Sequence, residues 1–336
     1  MQEKALSTAK LLDSLNWPDP QSRFSGYSVA IGISGASPEL VSGGLTSPKL
    51  DSKTVDTNTR FDLASITKLY TATVAAILSA RGDLDLDAPI GSWMKVSKDL
   101  ESLTSTELLT HTSGLPDVWQ EQPSRQQTID SLFSLKPKME QRGSMLYSCT
   151  GYSLFSIGLE KKFGMRFDEI LQQLVIGPLG LSETGYLPAS HTQNIAVSCE
   201  PTEGFEAGVV HDPRARHLDG VSGNAGLYGT AADLHKFFSE VLTGNAGVVA
   251  DAAREILFTP VVDDEWEQCV GFRHNDIQRL GKNKHFFSHT GFTGTLAMVD
   301  PASKQIAVML TNRLVCETTR EQMASVYQGF SETAVA

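Results

Sequence analysis

Ser65 and Lys68 stand three residues apart in Phe61-Asp62-Leu63-Ala64-Ser65-Ile66-Thr67-Lys68. On a helix, positions three apart share a face, so the amine can lie beside the hydroxyl and take its proton. A serine at a helix start also gains free backbone N–H groups and the positive end of the dipole. That combination suits acyl transfer. The same spacing occurs at Ser7–Lys10 and Ser92–Lys95. The first lies near the chain end among polar residues, and the second follows Pro89-Ile90-Gly91 in a loop or turn. Only Ser65–Lys68 opens an apolar stretch, Leu69 to Ala80, long enough for a buried helix and closed by Arg81-Gly82.

Two further clusters carry chemistry. Tyr147-Ser148-Cys149 precedes Thr150-Gly151-Tyr152, and a phenol beside a serine–lysine pair can relay protons because it both donates and accepts. Ser288-His289-Thr290-Gly291-Phe292-Thr293-Gly294-Thr295 reads as a strand with a bare glycine that lets a ligand approach the backbone. His285 and His289 would share a strand face, but no third ligand is evident and zinc needs three or four. No metal site is expected.

The surrounding elements must bring these clusters together. Residues 26–34 and 38–45 read as strands joined across Gly35-Ala36-Ser37. Helices are expected at 65–81, 105–111, 126–134, 151–163, 167–174 and 231–243. Short antiparallel strands follow at 268–274, 285–289, 294–300 and 305–311, with a turn at Asp300-Pro301-Ala302-Ser303 and a closing helix at 317–329. Strands at both chain ends with helices between imply an α+β fold. Residues 1–64 and 266–336 would build an antiparallel sheet lobe flanked by helices, and 65–265 a mainly helical lobe inserted in it. The ligand cleft belongs between them.

The chain of 336 residues carries a net charge of −11, which argues against a nucleic-acid surface. No apolar run is long enough to span a membrane. The start lacks the basic segment and apolar core of a secretory leader, so a cytoplasmic setting is expected, or a periplasmic or secreted one if a leader was removed. Cys149, Cys199, Cys269 and Cys316 form no Cys-x-x-Cys pair and read as free thiols.

In this order, FDLASITK, LLTHTSGLPD (108–117), YSCTGY, GNAGLYGTAADL (223–234), SHTGFTGT and LTNR (310–313) resemble the serine β-lactamase and penicillin-binding protein family. The likeness is to its class C and esterase-like branch and covers almost the whole chain. His211-Asp212 is similar to the Val-His-Asp loop of a subset that includes muropeptide amidases and esterases. The resemblance implies the two-lobed transpeptidase fold, with Ser65 as the acylated nucleophile and Lys68 as its base or relay. Tyr147 would shuttle the proton to the leaving group, and His289 would take the place of the lysine in the family's Lys-Thr-Gly strand. The backbone N–H groups of Ser65 and Phe292 would form the oxyanion hole, and Cys149, Thr290, Gly291 and Arg313 would contact substrate. No cofactor is implied.

Two residues depart from the family pattern. Cys149 stands where asparagine often holds a substrate amide, and a thiol hydrogen-bonds only weakly. His289 replaces a permanent cation with a group that is mostly neutral at pH 7, unless Arg313 supplies the charge. Weak β-lactam turnover and a neutral cleft are therefore expected, carboxypeptidase action on a free D-Ala terminus is disfavoured, and turnover should show a pH limb near the His289 titration. Lys68 must fall well below 10.4 to act as a base; if it stays charged, Tyr147 as phenolate takes that role. The leading expectation is a serine hydrolase acting through an acyl-enzyme on peptidoglycan fragments or D-amino-acid peptides. The alternatives are a carboxylesterase and a catalytically idle binding protein of the same fold. The partner is a small-molecule or peptide substrate, and the oligomeric state is unknown.

Overall fold

A computed structural model describes residues 23–48, 52–117, 122–186, 194–198, 207–263, 267–274 and 286–334. Ser7, Lys10, Cys199 and His285 lie outside the described residues. The strands are β1 (Gly26–Ile33), β2 (Glu39–Gly44), β3 (Phe61–Asp62), β4 (Tyr228–Gly229), β5 (Val262–Asp263), β6 (Glu267–Gln268), β7 (Arg273–His274), β8 (Phe287–Thr290), β9 (Leu296–Asp300) and β10 (Gln305–Thr311). The helices are α1 (Thr67–Ala80), α2 (Ser105–Leu109), α3 (Arg125–Phe133), α4 (Cys149–Phe163), α5 (Phe167–Leu171), α6 (Gly177–Leu179), α7 (Pro213–His217), α8 (Ala231–Thr243), α9 (Asp251–Phe258) and α10 (Arg320–Ala334).

The main sheet is antiparallel, in the order β2-β1-β10-β9-β8-β7-β6-β5. It joins the two ends of the described chain because β1 pairs with β10, Tyr27 opposite Thr311 and Ile33 opposite Gln305. Alternation along β10 explains its central place. Ala307 and Met309 face α10, where Met323, Val326 and Phe330 cover them. Ile306, Val308 and Leu310 join the larger core on the other face, with Phe237 and Phe238 of α8. A strand apolar on both faces belongs inside a covered sheet. In α1, every residue from Thr67 to Leu78 is buried, as a helix apolar all round requires.

Several boundaries differ from the sequence reading. The strand expected at 268–274 is two short strands, β6 and β7, folded about Gly271 at φ +89. The sheet also takes in β5, a few residues before the expected boundary at 266. Ser65 does not begin α1. It lies in a 3-10 turn, Ala64–Ile66, and the α-helix starts at Thr67.

Candidate active site

The turn that carries Ser65 is held from two sides. Ala64 has φ +49, a left-handed conformation that costs a non-glycine residue about 1–2 kcal/mol. It is secured by its backbone N–H, which donates to Asp62 Oδ1 at 2.8 Å. From the other side, Thr293 Oγ1 donates to the Asp62 carbonyl at 2.8 Å and Thr295 Oγ1 to the Leu63 carbonyl at 3.1 Å. The 291–295 loop is thereby stapled to the nucleophile turn. Gly291 is required there: a Cβ would lie 2.0 Å from Thr295 Oγ1 and 2.9 Å from the Leu63 carbonyl oxygen.

Three side chains meet at the hydroxyl. Lys68 Nζ donates to Ser65 Oγ at 2.8 Å, and Tyr147 OH donates to the same oxygen at 3.1 Å. Lys68 is fully buried and also donates to the Asn224 carbonyl at 3.0 Å and to Cys149 Sγ at 3.4 Å. Burial opposes its charge, but negative charge on Cys149 or Tyr147 outweighs that and holds the ammonium above its usual range. Lys68 therefore stays charged whenever a proton has left its neighbours. Asn224 was not singled out from the sequence, although GNAGL contains it. Its side-chain oxygen accepts from Ser153 at 2.9 Å and from Ser222 at 2.7 Å, which fixes the carbonyl beside Lys68.

Tyr147 has its own support, also missed at the sequence level. The His111 ring lies 4.4 Å from the Tyr147 ring. Its Nδ1 stands 3.1 Å from Ser148 N, so it can accept the N–H of the residue that follows the tyrosine. His111 itself sits at φ +61 and is buried. Burial, with the Lys68 and Arg273 charges added, keeps it neutral far below 6.5.

His289 corrects the expectation. It is 2% exposed and is not among the residues lining the cleft, while Ser65, Tyr147, Cys149, Thr290, Gly291, Phe292 and Arg313 are. Burial, with Arg273 and Lys68 adding to it, drives His289 well below 6.5. The pH limb expected near 6.5 is therefore not assigned to this residue. The cation on that wall belongs instead to Arg273, on the neighbouring strand β7, whose guanidinium carbon lies 5.1 Å from the Tyr147 ring centroid.

Nor is the cleft neutral, as the sequence reading had it. Its volume is about 770 Å³, and Arg273, Arg313, Arg320 and His211 line it together with Asp117 and Asp212. Arg313 is anchored by the Phe292 carbonyl at 2.6 Å and by the Thr318 carbonyl. Asp117 pairs with the buried Arg214 at 3.2 Å.

With this geometry in view, the family model named Beta-lactamase matches residues 9–327. The chain belongs to the Beta-lactamase family. It is 26% identical over 303 residues to an N-acetylmuramyl-L-alanine amidase of Bacillus subtilis, covering 76% of this chain and 68% of that protein. Its fold is shared by several solved structures. The hydrolase EstCE1 superposes with a TM-score of 0.80 at 21% identity, over 99% of this chain and 100% of that one. A class C beta-lactamase from Rhodobacter sphaeroides gives 0.78 at 19% identity, over 97% and 99%. Members of this Beta-lactamase family are serine hydrolases, and the antiparallel sheet with flanking helices is their fold.

Proposed function

We propose that this protein is a serine hydrolase working through an acyl-enzyme on amide or ester bonds, with peptidoglycan fragments or D-amino-acid peptides as its substrate class. One observation carries the reading: Lys68 Nζ and Tyr147 OH both reach Ser65 Oγ within hydrogen-bond distance. Once Tyr147 has given up its phenolic proton to solvent, Ser65 attacks the substrate carbonyl and the phenolate accepts the Ser65 proton, with the Lys68 ammonium close enough to stabilise that phenolate. The tetrahedral oxygen is met by the N–H groups of Ser65 and Phe292, and losing one such donor typically costs about 10²–10³ in rate. Tyr147 then returns the proton to the departing nitrogen or oxygen. A water repeats the sequence on the ester to free Ser65.

The relative named an amidase supports the cell-wall assignment, as does the charged cleft, which suits peptides better than plain acyl esters. A carboxylesterase is the second reading, favoured by Cys149 in the place where an amide-holding asparagine is expected. A fluorophosphonate probe should label the wild type at Ser65 and leave Ser65→Ala unlabelled. Labelling that survives in Ser65→Ala, or its absence in the wild type, rejects the hydrolase reading and favours an idle binding protein. Turnover of purified muropeptides set against p-nitrophenyl esters then separates amidase from esterase.

A further inference from the structure

A residue lining the cleft, His211, is paired with a buried carboxylate that the chemistry proposed at Ser65 does not use. The Asp62 side chain is fully buried, and its Oδ2 accepts the backbone N–H of His211 at 2.9 Å and lies 3.0 Å from the His211 Nδ1. Nδ1 is thus committed to a carboxylate. Among the described residues Nε2 has no hydrogen-bond partner, and His211 lines the same cleft as Ser65. The imidazole lies flat against Phe292, with ring centroids 5.6 Å apart and planes within 11°. The guanidinium carbons of Arg313 and Arg320 lie 4.6 and 4.8 Å from the centroid of that same ring. One imidazole and two guanidinium groups therefore surround the side chain whose backbone N–H belongs to the proposed oxyanion hole.

We infer that His211, held through Nδ1 by Asp62 with Nε2 free toward the cleft, is a specificity-determining residue that selects ligands carrying a carboxylate, held with Arg320 beside the exposed Phe292 ring. The inference rests on the reading of this cleft as the substrate site. An imidazolium that gives one N–H to Asp62 has a single N–H left, and a carboxylate is the acceptor that gains most from it. A neutral amide in the same place loses the charge component of that bond.

Charges on every side bear on the protonation of His211. Burial works against it. The Asp62 charge and hydrogen bond favour it more strongly, Asp212 adds to them, and Arg216 opposes. Arg313 and Arg320 stand across Phe292, Arg273 stands at Tyr147, and Asp117 is tied to Arg214. The balance holds His211 above its usual 6.5. Selection for a carboxylate should weaken as pH rises through that titration, leaving the constant share of the arginines, which do not titrate.

The test reads binding, so that it stands apart from turnover. The imidazole signals of His211 are followed by NMR against pH in the full-length protein, alone and with N-acetyl-D-alanine or its amide. The carboxylate should raise the His211 midpoint by about one unit and bind about tenfold more tightly below that midpoint than above it, since one unit corresponds to a tenfold ratio. The amide should leave the midpoint in place. In His211→Gln, with folding checked by circular dichroism, the pH dependence of carboxylate binding should vanish while a constant affinity remains. Equal midpoints with both ligands, or a pH dependence kept in His211→Gln, overturn the inference. Loss of fluorophosphonate labelling with this binding pattern intact would reject the hydrolase reading alone.

Discussion

His289 and His211 sit on different walls of one active-site region and have opposite acid–base character. Both are largely buried, and burial lowers the affinity of each for a proton. Their neighbours decide the outcome. His289 faces the Arg273 and Lys68 charges and is driven further down, so it serves as a neutral packing group under Tyr147. His211 faces Asp62, and the carboxylate reverses the effect of burial. An imidazole in a cleft is thus no guide to charge until its nearest ionised partner is known.

That contrast can be broken from either wall. The largest effect is expected at Tyr147, whose ring lies 6.3 Å from that of His289. Tyr147→Phe should lower kcat by about 10²–10⁴ with little change in KM, as measured by steady-state turnover of an ester. A fall in KM alone would remove Tyr147 from proton transfer.

His289→Lys places an ammonium beside Arg273 and Lys68 with no described carboxylate in contact. A loss of about 3 kcal/mol is expected in denaturant unfolding at pH 7, because an uncompensated buried charge is strongly destabilising. A variant as stable as the wild type would show that the protein accommodates a cation at this buried position.

Asp62→Asn should cost on the order of 2–3 kcal/mol and should also change the pH dependence of stability. In the wild type the folded-state midpoint of His211 is raised. Its contribution is therefore fully present below about 6.5 and is lost as pH rises through the raised midpoint. The midpoint of Asp62 is lowered, so its contribution is present above about 3.9 and is lost as pH falls through the lowered value. Thermal melts from pH 4 to 9 should show the alkaline decline in the wild type and not in Asp62→Asn.

The smallest effect comes from His235 on α8, which resembles His289 in being buried without a carboxylate. Burial drives it down to about 4. Its share of stability is complete above about 6.5 and is lost as pH falls from there toward 4, on the order of 2 kcal/mol after allowing for partial solvent screening. His235→Gln should flatten that acid limb of the melting curve, and an unchanged limb would assign it to other groups.

Much of the frame was legible in the chain because it depends on local pattern. The apolar run after Lys68 marks α1, and the unbroken apolar run across 306–310 marks β10, the strand that is buried on both faces. The spacing of Ser65 and Lys68, and Tyr147 as the third partner, were readable as residue types. The misplacements have physical causes. The strand at 268–274 breaks because Gly271 turns the chain, which hydrophobicity does not register. His289 was read as a cleft-lining group titrating near 6.5 because its motif position suggested it, and Arg273 was passed over because it has no motif of its own. Asp62 was not singled out from the sequence, although its carboxylate joins the nucleophile turn to a loop 149 residues away.

The sequence by itself determined which groups are available and which segments are helix or strand, since both follow from neighbours a few residues apart. Only the tertiary structure decided which of those groups carry charge. Protonation depends on burial and on the nearest ionised partner, and here those partners come from β3, β7 and the loop before α7, segments that are far apart along the chain.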